Sequence, residues 1–251
     1  MRLCLIPLKV ELRNPGLNLR RFQELLEALG PRRPDLVVLP ECAFTGYLFN
    51  QEDWPFAEPV PGPTVEVLAG LARRHHTWLC FGLLEHTPQG VYSTAVLLDR
   101  QGVLRHRHRK NVEMPPLLRG DEVATVETEF GRLGILICGD LFEEAVVARL
   151  GRPHLLLVPM ARSFDGRSPD RERWEREERQ AYLEAARRAG CLTLLVNLLE
   201  DTPDDPAFGG ALVVGPRGEL LAESPHGSDQ VLLYDLDAPL SPAPWSLSPG
   251  P

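Results

Sequence analysis

Three short segments near the start of the chain, RLCLIPL, LNLRRFQELLEALG and DLVVLP, constrain the fold more than any other feature. The outer two are apolar runs of strand length. The middle one spaces its leucines and Phe22 as one face of a helix, and Gly30 marks its end. Strand, helix and strand in succession predict a layered α/β fold. The rhythm returns at PTVEVLAGLARRHH followed by TWLCFGLLE. VYSTAVLLD and GVLRHRHRK predict a hairpin joined at Arg100, Gln101 and Gly102, and a second strand pair splits at Phe130 and Gly131. Helix-like LFEEAVVARLG, buried-strand-like HLLLVP and a long charged helix from about Pro169 to Arg188 come next, then four strands in CLTLLVN, GGALVVG, GELLAES and QVLLYDL. No repeat of fixed period is visible. With 251 residues one large core can form, and a single domain is expected over residues 1–237. The remainder, APLSPAPWSLSPGP at 238–251, is a proline-rich tail expected to be extended, with Trp245 available for docking.

Charge and patterning exclude several classes of partner. A net charge of −8, with no basic stripe among aromatics, argues against nucleic acid. No run of eighteen apolar residues predicts a membrane span, and MRLCLIPLKVEL has no signal-peptide cleavage site, so a cytoplasmic protein is expected. Five cysteines, at 4, 42, 80, 138 and 191, suit neither a disulfide framework nor a paired zinc site. They are expected to be free thiols. Only two of the 27 basic residues are lysine, Lys9 and Lys110, so a lysine in this chain calls for a reason.

Three residues satisfy the chemistry of a site. Glu41 follows the unbroken apolar run Leu36–Pro40, at the carboxyl end of a predicted buried strand, where open α/β sheets form ligand crevices. Partial burial there would lift its pKa toward that of a general base. Lys110 ends RHRHRK; Arg105, Arg107 and Arg109 read as a solvated charged edge, but a compact ammonium suits a developing oxyanion. Cys138 closes LGILIC and precedes Gly139 at a predicted strand-to-helix turn, where free N–H groups lower a thiol's pKa while Asp140, Glu143 and Glu144 oppose them. Cys4, Cys80 and Cys191 lie inside apolar runs and read as small hydrophobes; Cys42 is ambiguous.

LPECAFTGY, HRKNVEMPP and LICGDL, in that order, make the chain resemble the nitrilase, or carbon-nitrogen hydrolase, superfamily. NPGLNLRRFQELL, EPVPGPTVEVLAGLARR, YSTAVLLDRQGVL, FGRLGILIC, LLLVPMARSF and GPRGELLAES extend the likeness along most of the chain. The resemblance implies a four-layer αββα sandwich, a Glu41-Lys110-Cys138 triad, and no metal or organic cofactor. It implies hydrolysis of a small amide or carbamoyl compound through a thioester, with Gly139 N–H and Lys110 holding the oxyanion. Glu113 matches a second family glutamate, and Arg162 and Ser163 are candidate pocket walls. Gly139 in place of an aromatic or acidic residue, Ala211 in place of serine, and a short Lys110–Gly120 segment depart from the pattern, and the last predicts a more open or differently shaped pocket. A homodimer or higher homo-oligomer through LFEEAVVARL and RERWEREERQAYLEAARR is implied. Two alternatives are a glutaminase-type ammonia supplier to a separate synthetase, suggested by GCLTLLVNLLEDTPDDPAFGGALVV, and a non-catalytic scaffold of the same fold. A thiol peroxidase would leave Glu41 and Lys110 without a task.

Overall fold

The computed structural model describes residues 1–48, 50–163, 170–200, 202 and 206–236. In chain order the elements are β1 (Arg2–Leu5), β2 (Lys9–Val10), α1 (Pro15–Leu29), β3 (Leu36–Val38), α2 (Pro63–His75), β4 (Trp78–Thr87), β5 (Gly90–Leu98), β6 (Leu104–Arg109), β7 (Thr125–Thr128), β8 (Gly131–Ile135), α3 (Glu144–Arg149) and β9 (Leu155–Met160). A continuous helical stretch follows as α4 (Arg171–Arg173), a π-helical turn (Trp174–Glu178) and α5 (Arg179–Ala189). The chain then runs through β10 (Leu192–Asn197), β11 (Leu199–Glu200), β12 (Ala211–Val214), β13 (Leu220–Glu223) and β14 (Leu232–Asp235).

Two six-stranded sheets form, ordered β14-β1-β3-β4-β5-β6 and β13-β12-β10-β9-β8-β7. Their inner faces make one core, in which Leu3, Leu5, Leu36 and Val38 meet Ile135, Leu155, Leu157 and Leu194. The alternate residues Cys4, Ile6, Val37 and Leu39 turn outward onto Phe22 and Leu26 of α1 and Leu68 of α2. On the other side Tyr182, Ala185 and Ala186 of α5 close the second sheet. The result is a four-layer αββα sandwich. Strands covered on both faces have no polar side to show, which is why DLVVLP and HLLLVP read as unbroken apolar runs.

Local chemistry sets the helix ends. Asn14 accepts the Leu17 N–H at 3.3 Å ahead of Pro15 at the start of α1. Helix α1 ends as expected with Gly30 as its C-cap, although Gly30 is right-handed and opens a short 3₁₀ turn, so the left-handed reversal falls at Arg33 with φ 48°. The helix expected from Leu141 onward is shorter than its sequence suggests: a 3₁₀ turn covers Cys138–Phe142 before α3. The charged helix begins within the described residues at Arg171, and Pro169 lies outside them, as do the tail at 238–251 and Trp245. The short β2–β11 pair had no signal beyond two residues per strand. Edge strand β6 is less solvated than its arginines suggest, since Arg107 and Arg109 both bind the buried Glu85 carboxylate, at 3.1 and 2.8 Å. No helix among the described residues is long and apolar enough to cross a membrane.

Candidate active site

Glu41 leaves the end of β3 with its side chain fully buried. Its position is set from below by Gly82 of β4: a Cβ there would lie 2.5 Å from the Glu41 Cα, so only hydrogen lets the strands pass this closely. The Glu41 N–H donates across to the Met160 carbonyl of the second sheet at 3.3 Å. Oε1 accepts from Ser93 Oγ at 2.7 Å and from Lys110 Nζ at 3.0 Å. Oε2, although buried, has no hydrogen-bond partner among the described residues.

Lys110 follows β6 and is anchored by its N–H to the Ser93 carbonyl at 2.9 Å. Its ammonium also lies 3.1 Å from Glu113 Oε2, 3.4 Å from the Tyr47 hydroxyl and 4.8 Å from the centre of the Tyr47 ring. Glu113 Oε1 accepts from Tyr47 OH at 2.6 Å and from Met114 N–H at 2.9 Å. Gly120 N–H bonds back to the Lys110 carbonyl at 2.7 Å, and the closed loop turns Glu113 inward, where it is 4 % exposed.

Cys138 comes from the second sheet, after β8, in a left-handed conformation with φ 45°. A non-glycine residue held there signals strain that its surroundings over-determine, as at nucleophile turns. The thiol is 9 % exposed, at the margin of the inter-sheet core. Electrostatics place it with the other two: burial and then Glu41 push its pKa up to about 11, while Lys110, the Ala161 backbone N–H and Arg162 pull it down. The expected lowering by a helix N-terminus is outweighed, because a five-residue 3₁₀ turn offers little dipole and the thiol is buried. The resting sulfur therefore carries its proton. Burial is also the largest influence on Glu41 and raises its pKa, aided by Glu113 and only partly offset by Lys110 and Ser93. For Lys110, burial disfavours the ammonium, but Glu41, Cys138, Tyr47 and Glu113 outweigh it and its pKa is raised.

Gly139 faces Val112, and a Cβ on it would meet that side chain at an ordinary 3.4 Å, so the residue is not forced by space. Arg162 and Ser163 follow β9. The Arg162 backbone is clamped by Asn197, whose Oδ1 accepts its N–H at 2.7 Å and whose Nδ2 donates to its carbonyl at 3.0 Å. Sequence reasoning missed Tyr47, Ser93, His108 and Asp140. Tyr47 closes the TGY segment and Ser93 is a polar residue in the apolar β5, so both had a signal. Asp140, read as an unfavourable charge near the thiol, is fully buried and hydrogen-bonded on both oxygens. Cys4, Cys80 and Cys191 are buried, with their pKa values raised by burial, as small hydrophobes. Cys42 is buried beside Glu41. No group of three or more His, Cys, Asp or Glu side chains suited to a metal ion occurs among the described residues.

Comparison with known proteins gives a consistent answer. A family model described as carbon-nitrogen hydrolase matches residues 13–242. Nitrilase 2 of Arabidopsis thaliana is 26 % identical over 88 % of this chain and 75 % of its own length. Omega-amidase NIT3 of Saccharomyces cerevisiae is 27 % identical over 88 % of this chain and 81 % of its own. The crystal structure of an amidase from Nesterenkonia sp. shares the fold with a TM-score of 0.78 at 22 % identity, over 94 % of this chain and 90 % of that one.

Proposed function

Because the chain belongs to the carbon-nitrogen hydrolase family, we propose that it is a cysteine-dependent amidohydrolase that cleaves a small amide or carbamoyl compound through a thioester, with Glu41, Lys110 and Cys138 as its catalytic residues. The observation that carries this reading is the division of labour at Glu41: Oε1 is engaged by Ser93 and Lys110, whereas buried Oε2 is left without a donor. Such an oxygen, on a carboxylate whose proton affinity burial has raised, is a base held ready.

In the first half-reaction Glu41 takes the proton from Cys138 as sulfur attacks the carbonyl carbon. The charge that develops on the carbonyl oxygen is held by the Lys110 ammonium and the Gly139 N–H. Glu41 returns its proton to the leaving nitrogen, and ammonia or an amine departs. A water then gives a proton to Glu41 and attacks the thioester, and the acid leaves as Cys138 regains its hydrogen. A thiol with a pKa near 11 cannot sustain this without a base, so burial of both groups is consistent with one mechanism. Glu113 and Tyr47 hold the ammonium aimed; Arg162 and Ser163 line the acyl side. No step calls for a metal or organic cofactor.

The amide preference follows the relatives, among them the omega-amidase of yeast and a deaminated glutathione amidase of Dictyostelium discoideum. The positive charge of Arg162, close enough to influence the Cys138 sulfur, favours acyl chains ending in a carboxylate. Glutamine is one of these, so a glutaminase feeding a separate synthetase is the second reading. Ammonia release from ω-amides, glutamine, N-carbamoyl amino acids and nitriles tests both, with Cys138→Ala as the blank. Silence across the panel at high enzyme concentration would leave the scaffold reading instead.

A further inference from the structure

We propose that Asp140, together with His108, is a positioning residue: a buried strut that fixes the reach between the Lys110 ammonium and the Cys138 sulfur. The inference rests on the hydrolase reading and adds to it a residue pair with no contact to substrate.

The geometry is specific. Lys110 belongs to the first sheet and Cys138 to the second, so no strand ladder fixes their separation. The Asp140 carboxylate bridges that gap. Its Oδ1 accepts the N–H groups of Asn111 at 2.9 Å and Val112 at 2.8 Å, the two residues directly after Lys110. Its Oδ2 accepts the N–H of Ile137 at 3.1 Å, the residue directly before Cys138, and lies 2.8 Å from His108 Nε2, two residues before Lys110. One side chain thus holds the backbone just after the lysine, the imidazole two residues before it and the backbone just before the cysteine. Both members are inaccessible, Asp140 at 0 % and His108 at 2 %. A second brace repeats the pattern, with Arg149 of α3 donating to Asn111 Oδ1 at 3.2 Å and to the Asp121 carbonyl. Four contacts on a rigid three-atom group leave little freedom, and a displacement of about 1 Å at a reacting centre can cost on the order of 100-fold in rate.

Alkylation by iodoacetamide needs a thiolate but no oxyanion support, whereas amide hydrolysis needs both, and the difference isolates the strut. Asp140→Asn keeps the volume and one acceptor but turns an N–H toward Ile137 N–H. We expect kcat to fall at least about 100-fold, KM to change less than about threefold, and Cys138 to be alkylated at a rate within about fivefold of wild type. His108→Gln offers an Nε2 donor near the imidazole position, and His108→Leu offers none; the glutamine variant should be at least tenfold more active than the leucine variant, at matched melting temperature. Wild-type kcat in Asp140→Asn, or equal activity in the two His108 variants, would overturn the strut. Parallel loss of hydrolysis and of Cys138 alkylation would also overturn it, by assigning Asp140 to thiolate formation or to folding at large. Should Asp140→Asn not fold, the His108 pair decides alone. A wild-type protein that is alkylated at Cys138 but releases ammonia from no amide would instead refute the hydrolase reading, so the two failures are distinct.

Discussion

Replacing Lys110 separates its charge from its shape. The ammonium lies between two buried carboxyl groups, Glu41 at 3.0 Å and Glu113 at 3.1 Å, with side-chain exposures of 1 and 3 %. Lys110→Met removes the cation and leaves both acids facing one another in a buried site. Breaking a buried ion pair from one side costs about 3–5 kcal/mol. In a chain of this size each kcal/mol moves the melting temperature by roughly 2–4 °C, so the expected loss at pH 8 is roughly 6–20 °C. The pH dependence has a definite sign. The Glu41 pKa is already raised on folding, so its ionisation in the folded protein opposes stability; the favourable contribution of the protonated form is complete below the ordinary glutamate range and is lost as pH rises through the folded value. Without Lys110 that folded value moves higher, so the deficit of Lys110→Met should widen from pH 5 to pH 8. Lys110→Arg keeps the charge and should melt within a few degrees of wild type. Its kcat/KM should nevertheless fall at least about 100-fold, the scale of losing one oxyanion donor, because a planar guanidinium cannot place its charge at the ammonium's point. Calorimetry at the two pH values and ammonia release check both arms. A Lys110→Met protein as stable as wild type at pH 8, or a Lys110→Arg enzyme with near-normal turnover, would refute the reasoning.

Three other outcomes follow from the geometry. With the thiol near pKa 11, alkylation of Cys138 should accelerate about tenfold per pH unit between pH 7 and 10; a rate already flat at pH 7 would mean a resting thiolate paired with Lys110. Gly82→Ala drives a methyl into the backbone of Glu41 and Cys42 and toward the Pro40 carbonyl, so chemical denaturation should show a loss of about 1–3 kcal/mol along with reduced turnover; unchanged stability would show that the two strands separate easily. Arg162→Ala should raise KM about tenfold or more for amides bearing a carboxylate, as expected from losing one charge-assisted contact, and leave neutral amides little changed; equal losses on both would remove Arg162 from acyl recognition.

Much of this molecule was legible in the sequence because its signals are local. Strand runs, helix periods and the hairpin at Arg100–Gly102 depend on residues a few positions apart, and most appear where periodicity places them, the helix expected from Leu141 starting only at Glu144. The scarcity of lysine pointed to Lys110 before any coordinate did. What stayed hidden depends on encounters between distant segments. The thiol pKa is set by desolvation, a property of the packed sandwich and not of the turn that carries Cys138. Asp140 looked like an adverse charge because its four partners come from residues 108–112 and from Ile137, and no spacing announces that they converge. His108 did carry a hint: in RHRHRK it alternates with arginines, and the strand pleat turns it inward while Arg107 and Arg109 turn to Glu85. The short 110–120 loop suggested a more open or differently shaped pocket by length alone; the tie between its ends and the inward turn of its acid arise from the packed loop and have no signal in that length.

Glu41 and Lys110 stand on one sheet and Cys138 on the other, so under the proposed mechanism turnover reports a late assembly event. A chain in which both halves had acquired their strands without closing face to face would give a native far-ultraviolet circular dichroism spectrum and no hydrolysis. During refolding, ammonia production should accordingly lag behind secondary structure and rise together with the near-ultraviolet signal from Trp78, which packs in the core shared by the two sheets.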